Sequence, residues 1–291
     1  VVAASYVQNT MGLPTFGPYE SVCILQNKDR FRKFLADNGF NVPRAKSYTC
    51  LEDVLNDTDW LEFPMIVKPT DSAGSKGVTR IDSIGQLAPA AKHAFDNSIS
   101  GTIIIEQFLE KDDCSSDTDS FLHNGILKFV SYSAQRFDEN AANPYTPSAY
   151  SWPSTFTKEQ EGYLTSELQR LFTLLKMETS IFNIETRVSN GIPYIMEATP
   201  RGGGNRLAEM LRYATGVDMI TACVCAAVGD PIEEIEQKPY DGHWAEIILH
   251  ADNDGIFNAL EVDEDYAKCT VIERDLWVKL GDEVEAFNGA N

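Results

Sequence analysis

The stretch FNIETRVSNGIPYIMEATPRGGGN, residues 182–205, sets two glutamates in otherwise apolar company. Asn190-Gly191 is a strong hairpin signal, because both residues tolerate the positive φ that a two-residue turn requires. Folding the stretch about that turn brings Glu185 and Glu197 nearly opposite each other on adjacent strands. Ile184, Ile195 and Met196 beside them are core-type residues. Two facing carboxylates repel, and burying them is costly unless a cation lies between them. Hard oxygen donors that leave room for waters and phosphates suit Mg²⁺, with Mn²⁺ as an alternative. The plain alternative is a pair of solvated strand residues. The match in register, followed at once by Pro-Arg-Gly-Gly-Gly, favours the cation.

Upstream lies FPMIVKPTDSAGSKGV, residues 63–78. Lys68 closes a short apolar strand, Pro69 follows, and Gly74 and Gly77 then alternate with Ser72, Ser75 and Lys76. Backbone N–H groups freed by the glycines converge readily on phosphate oxygens, as do the two hydroxyls. A lysine held at the strand end is a point charge for the same phosphates. Alone, the stretch reads equally well as a surface hairpin loop with an incidental lysine. Two other nucleotide signatures are absent: no G-x-x-x-x-G-K-[ST] occurs, and RGGGNR does not complete G-x-G-x-x-G.

Further outward, helices and strands interleave. NKDRFRKFLADNGFNVP (27–43) predicts a helix with an apolar stripe of Phe31, Phe34 and Leu35. SIGQLAPAAKHAFDNS (83–98) predicts another, with Pro89 near its first turn. GTIIIEQFLE (101–110) predicts a strand, and FLHNGILKFVSYSAQRF (121–137) a hairpin turned at Asn124-Gly125. Residues 138–156 read as a proline-rich loop with enough aromatics to line a pocket. Residues 157–177 predict an amphipathic helix. Residues 205–230 read as helical, with Gly216 as the point of a break, and the tail as strand-rich. Several strands pair through hairpins, so α+β with antiparallel sheets is expected over a doubly wound parallel sheet.

The 291 residues carry 24 basic and 44 acidic side chains, a net charge of −20. Such a field repels phosphate backbones and anionic lipid, so neither nucleic acid nor a membrane surface is an expected partner. No apolar run reaches the ~20 residues of a membrane span. The six cysteines form no C-x-x-C pair, and Cys223 and Cys225 read as small core thiols, so a reducing, cytoplasmic setting is expected. The abrupt first residues, without Met or a basic leader, look like the edge of a longer chain.

Four pieces in order, NKDRFRKFLADNGFNVP, PMIVKPTDSAGSKGV, IIIEQFLEKDD and NIETRVSNGIPYIMEATPRGGGN, resemble the ATP-grasp superfamily from about Asn27 to Gly229. The resemblance implies two α+β subdomains clasping ATP, with 60–107 as a small lid, 1–26 as the trailing edge of a preceding domain and 230–291 as a separate C-terminal segment. It assigns Lys28 and Lys68 to the phosphates and Ser72 to Gly77 to a closing loop. Glu106, Gln107, Phe108 and Leu109 fall at the adenine hinge, and Asp113 at the ribose, where a glutamate is usual. Glu185 and Glu197 resemble the metal-bridging carboxylates. Thr199 stands where an asparagine normally supplies a further metal oxygen. Arg201 resembles the arginine that braces a carboxylate substrate and the transferring phosphoryl group. Arg206 and Arg136 are weaker candidates, and the four histidines show no ligand spacing. The implied activity is Mg²⁺- and ATP-dependent ligation of a small-molecule carboxylate to an amine through an acyl phosphate. A bicarbonate-using carboxylase and an ATP-binding module without turnover are the alternatives; WVKLGDEVEAF has a faint carrier-domain look but no Met-Lys-Met.

Overall fold

The computed structural model describes residues 1–72, 74, 76–138, 145 and 147–286. Three helices open the chain, α1 (Val2–Met11), α2 (Tyr19–Gln26) and α3 (Lys28–Asp37). Next come β1 (Ala45–Tyr48), α4 (Leu51–Asn56), β2 (Met65–Pro69), β3 (Thr79–Ile81), α5 (Leu87–Asp96) and β4 (Ile103–Gln107). The middle supplies β5 (Ser116–His123), β6 (Ile126–Phe129), β7 (Ala134–Phe137), β8 (Pro147–Trp152), α6 (Lys158–Leu174), β9 (Ser180–Ser189) and β10 (Ile192–Thr199). The last part holds α7 (Leu207–Thr215), α8 (Met219–Val228), β11 (Trp244–Ile247), β12 (Gly255–Ile256), α9 (Glu264–Thr270) and β13 (Glu283–Val284).

Three antiparallel sheets matter for the site, in the orders β1-β4-β2-β3, β10-β9-β5-β6 and β11-β8-β7. In the first, alternation sends Met65 and Val67 of β2 and Ile103 and Ile105 of β4 into a cluster with Ala90, Ala91 and Ala94 of α5. The period of two therefore turns Lys68 and Glu106 to the opposite face. Lys68 pairs with Ile104 and Ile66 with Glu106, so the two charged residues are diagonal neighbours.

The second sheet rests on α6, whose Leu164, Leu168 and Leu171 pack with Phe182, Ile184, Ile195 and Ala198. Phe31 and Leu35 of α3 and Val22 and Leu25 of α2 join the same cluster. Thr157 starts α6 with a reciprocal capping box to Gln160. Ile195 lies on the core face opposite Thr186, and strict alternation would put Glu197 there too. The register shifts between them, so that Glu197 pairs with Glu185 instead. A β-bulge thus turns Glu197 to the face that Glu185 already occupies, away from the α6 core.

Four sequence expectations change. Residues 138–156, read as loop, contain β8, with Tyr150 and Trp152 buried. Pro147 begins the strand and Pro153 follows its end, where a missing N–H costs no ladder bond. The hairpin expected over 121–137 ends at Phe129, and Ala134–Phe137 pairs with β8 in another sheet. As the Gly216 signal predicts, residues 205–230 form two helices, bent by 117° at the break after Thr215, with Gly216 at φ 75°. No single helix among the described residues is long and apolar enough to cross a membrane. The tail, read as strand-rich, holds short strands and α9 among its described residues. Its Ile272, Trp277 and Leu280 are exposed, so no buried face holds a longer strand there. Cys223 and Cys225 are half-buried thiols at the edge of the core rather than within it.

Candidate active site

Glu106 is buried between two cations. Its carboxylate lies 2.8 Å from Lys68 Nζ and 3.0 Å from Arg32 Nε. Burial would raise the Glu106 carboxyl, but the Arg32 and Lys68 charges overcome it and hold it down at about 2. Burial also lowers the Lys68 ammonium, aided by the charges of Arg32 and Lys28, while Glu106 opposes the shift. The group carries one net positive charge, a fit for an anionic ligand at the open end of Lys68. Lys28, at the start of α3, donates to the Ser72 carbonyl at 3.1 Å, which brings both lysines to the glycine-containing loop. Ser72 Oγ in turn donates to the Lys76 carbonyl at 2.8 Å. Gly74 and Gly77 have φ of 65° and 73°. A Cβ at Gly77 would come within 2.9 Å of Pro69 Cγ, so glycine is required on both counts. Ser75 lies outside the described residues.

Beyond Glu106 the chain leaves β4 at the end of the first sheet, between the segments that lead into β1 and β2. Gln107 N–H donates to the Arg44 carbonyl at 2.8 Å and Phe108 N–H to the Pro64 carbonyl at 3.1 Å. The Arg80 guanidinium sits 4.5 Å over the Phe108 ring. Leu109 is buried, and its carbonyl accepts from Arg187 at 3.0 Å. Asp113 is exposed four residues further on.

The second sheet presents a row of acids. Asp117 of β5 pairs with Glu185 of β9, which pairs with Glu197 of β10. The adjacent row on the same face is Asp119, Asn183 and Thr199. Arg187 Nη2 stands 3.4 Å from Glu185 Oε1 and is the cation paired to this face. Burial, followed by the Glu185 charge, pushes the Asp117 carboxyl up to about 7. Burial likewise raises Asp119 to about 6, against the pull of Gly203 N–H, the Asn183 amide and Arg201. Clustered oxygen donors that cannot all carry their charge unaided are the environment a hard divalent cation relieves. The donor set of Glu185, Glu197 and the Thr199 hydroxyl therefore fits Mg²⁺.

The two halves meet at the bulge. Arg32, which pairs with Glu106, also donates from Nη1 to the Met196 carbonyl at 2.8 Å. One guanidinium thus links the Lys68 group to the residue before Glu197. On the far side, the third sheet crosses the acidic face. Gln135, Tyr150 and Glu246 form one row across β7, β8 and β11. Tyr150 donates to Asp117 Oδ2 at 3.4 Å, and the Gln135 amide donates to the same oxygen at 3.3 Å. Arg201 is exposed just after β10, and its Nη1 donates to the Gly202 carbonyl at 2.8 Å. Arg206 is turned away, paired with Glu209, Glu273 and Asp275. Arg136, whose guanidinium reaches Cys114 Sγ at 3.7 Å, stays outside the cluster.

A sequence-family model for the ATP-grasp domain matches residues 61–209, just over half of the chain. The chain belongs to the ATP-grasp family. Among known proteins, it is 25% identical over 232 residues to the carbamoyl phosphate synthase large chain of Thermoanaerobacter sp. (strain X514), covering 78% of this chain and 20% of that one. It spans about a fifth of the length of the curated relatives it matches. Among solved structures, an L-amino acid ligase from Bacillus licheniformis superposes with a TM-score of 0.80 at 20% identity, covering 99% of this chain and 69% of that one. A phosphoribosylglycinamide synthetase from Anaerococcus prevotii gives 0.69 at 17% identity, with 99% and 71% covered. The ATP-grasp fold, with antiparallel α+β sheets, is the architecture described above.

Sequence reasoning missed Arg32, Asp117, Asp119, Asn183, Arg187, Tyr150 and Glu246. Alternation could have found some of them. Asn183 and Arg187 flank Glu185 at i±2, and Asp117 and Asp119 repeat at i+2 in SSDTDSF. No local pattern marks Arg32, which looks like one more charge on an amphipathic helix.

Proposed function

We propose that this chain is the nucleotide-binding and catalytic portion of an ATP- and Mg²⁺-dependent carboxylate–amine ligase. The observation that carries the reading is the bulge at Met196. It sets Glu197 opposite Glu185 and, through Arg32, ties that pair to Glu106 and Lys68. Lys28, Lys68 and the loop from Ser72 to Gly77 would hold the triphosphate. The segment from Glu106 to Leu109 would border the adenine, and Asp113 the ribose. Glu185, Glu197 and Thr199 would hold Mg²⁺, which when bound supplies neutralising charge to the phosphates.

The substrate carboxylate attacks the γ-phosphorus, and the bond to the bridging oxygen of ADP breaks, leaving an acyl phosphate. The amine nitrogen then attacks the acyl carbon, phosphate leaves, and the spent proton passes from nitrogen to the released phosphate or solvent. No side-chain nucleophile is needed. The chain's residues position the reactants and offset charge. Lys68, held rigid by Glu106, offsets negative charge on the transferring phosphoryl group. Arg201, with its planar fork, braces the carboxylate. Closing the glycine-containing loop keeps water from the acyl phosphate.

The test is calorimetric titration of ATP with and without Mg²⁺, beside Lys68→Ala, followed by ADP release with a panel of carboxylates and amines. Metal-dependent binding lost in the variant, and ADP release that needs a carboxylate, are the expected results. Release stimulated by bicarbonate alone would replace the ligase with a carboxylase. Binding without turnover under any addition would leave a nucleotide-binding module.

A further inference from the structure

The acidic face continues past the metal donors, toward the glycine loop that follows β10. Asp119 is fully buried. Gly203 N–H donates to its Oδ1 at 2.7 Å, and the Asn183 amide reaches the same oxygen at 3.3 Å. Its Oδ2 has no partner among the described residues. The glycine loop passes close above it, since a Cβ at Gly203 would come to 2.6 Å from Leu207 Cδ1, 2.7 Å from Asn183 Nδ2 and 3.1 Å from Asp119 Oδ1. A Cβ at Gly202 would stand 3.7 Å from Oδ2 itself. The loop is thus cut back to backbone where that oxygen points.

From the opposing sheet comes Glu246, the cross-strand neighbour of Tyr150. Its Oε2 is likewise buried without a partner among the described residues. The Asp119 charge is felt at Glu246, and the Glu209 charge at both. Arg206, just before α7, pulls Glu246 down, but its guanidinium is shared among Glu209, Glu273 and Asp275. Arg201 acts on Asp119 from the loop and keeps its own guanidinium exposed. Two buried carboxylate oxygens without donors, on facing sheets, are a costly arrangement unless a cationic donor completes it.

We propose that Asp119 and Glu246 form an ammonium-binding subsite, so that the acid activated here is an amino acid held by its carboxylate at Arg201 and by its amino group between the two sheets. The inference rests on the ligase reading for the fate of the carboxylate, but not for binding. A zwitterion matches a guanidinium and a carboxylate pair at once. Simple carboxylic acids and bicarbonate leave the Asp119 and Glu246 oxygens unpaired and are rejected on that account.

The test measures binding separately from turnover. Each of the twenty amino acids is titrated against its des-amino counterpart (propionate for alanine, succinate for aspartate) in the presence of Mg²⁺ and a non-hydrolysable ATP analogue. At least one amino acid is expected to bind tenfold or more tightly than its counterpart. Asp119→Asn keeps the Oδ1 acceptor for Gly203 and replaces the lone oxygen with a donor. It should abolish the preference, and Glu246→Gln should reduce the preference several-fold. Equal binding of the two series, no binding by any amino acid, or an unaltered preference in Asp119→Asn overturns the subsite. Hydroxamate formation from MgATP and hydroxylamine reads the ligase independently. Amino-acid preference without hydroxamate keeps the subsite and removes the ligase, whereas hydroxamate formed equally from propionate and alanine does the reverse.

Discussion

Glu106, buried, and Asp117, half-buried, are carboxylates on the site-facing side of a sheet, and their surroundings push them in opposite directions. Glu106 is held at about 2 by Lys68 and Arg32, whereas Asp117 is raised to about 7 by burial and by Glu185. The first group is neutralised from within the chain, with one positive charge to spare. The second has four carboxylates, Asp117, Asp119, Glu185 and Glu197, with Arg187 on Glu185 as their ion pair among the described residues and Arg201 acting on Asp119 from the loop. A self-neutralised group can be rigid before any ligand arrives. An under-neutralised one is waiting for cations. Placed side by side and linked by Arg32, the two suit a ligand that is itself a metal–anion pair.

Removing the buried anion should therefore have the largest effect. Glu106→Gln leaves Arg32 and Lys68 buried without their counter-charge and should cost about 3–5 kcal/mol in urea unfolding. Asp117→Asn, on the under-neutralised side, should be neutral or stabilising in the absence of metal. Equal losses in the two variants would erase the contrast.

The second expected effect is a pH dependence of opposite sign on the two sides. Glu106 is depressed, so its contribution is complete above the unfolded carboxyl range and is lost only as pH falls through about 2. Asp117, Asp119 and Glu246 are raised to about 7, 6 and 8, so stability is fullest at low pH and falls as pH rises through those values. Between roughly pH 5.5 and 8.5, Asp117 alone should cost about 2 kcal/mol in metal-free protein. Added Mg²⁺ should return part of it, because the cation binds the ionised form. Thermal melts from about pH 2 to pH 8.5, with Mg²⁺ or with chelator, check both signs. A metal-free protein that gains stability on going to alkaline pH contradicts the assignment.

The sequence carried this comparison unevenly. The Asn190-Gly191 turn is a local signal, so the facing of Glu185 and Glu197 was legible from spacing. The bulge at Met196 was not, though without it Glu197 would have pointed into the core. Lys68 at a strand end was legible, but its pairing with Glu106 depends on the register of β2 with β4, and the part played by Arg32 depends on how α3 packs. Those are tertiary facts with no sequence period. Tyr150 and Glu246 were hidden because the prolines around β8 read as loop, and Glu246 sits in a short strand laddered to β8. Residues placed by one hairpin could be read directly, and residues placed by the meeting of sheets could not.

The smallest expected effect lies where the two sides are closest in chemistry. Thr199 is buried on the face of Glu197, in a row with Asn183 and Asp119. Its hydroxyl is a weak donor atom for a hard cation, and the usual asparagine would offer a stronger carbonyl oxygen carried one bond further out. Thr199→Asn should therefore tighten Mg²⁺-dependent nucleotide binding by about two- to fivefold. The same change crowds a packed position and should lower stability by about 1–3 kcal/mol. Calorimetric titration with and without Mg²⁺ separates the two, since only the metal-dependent part of the affinity should move. If the metal-free and metal-dependent affinities fall together, residue 199 acts through packing alone, and the cation is held by Glu185 and Glu197 without it.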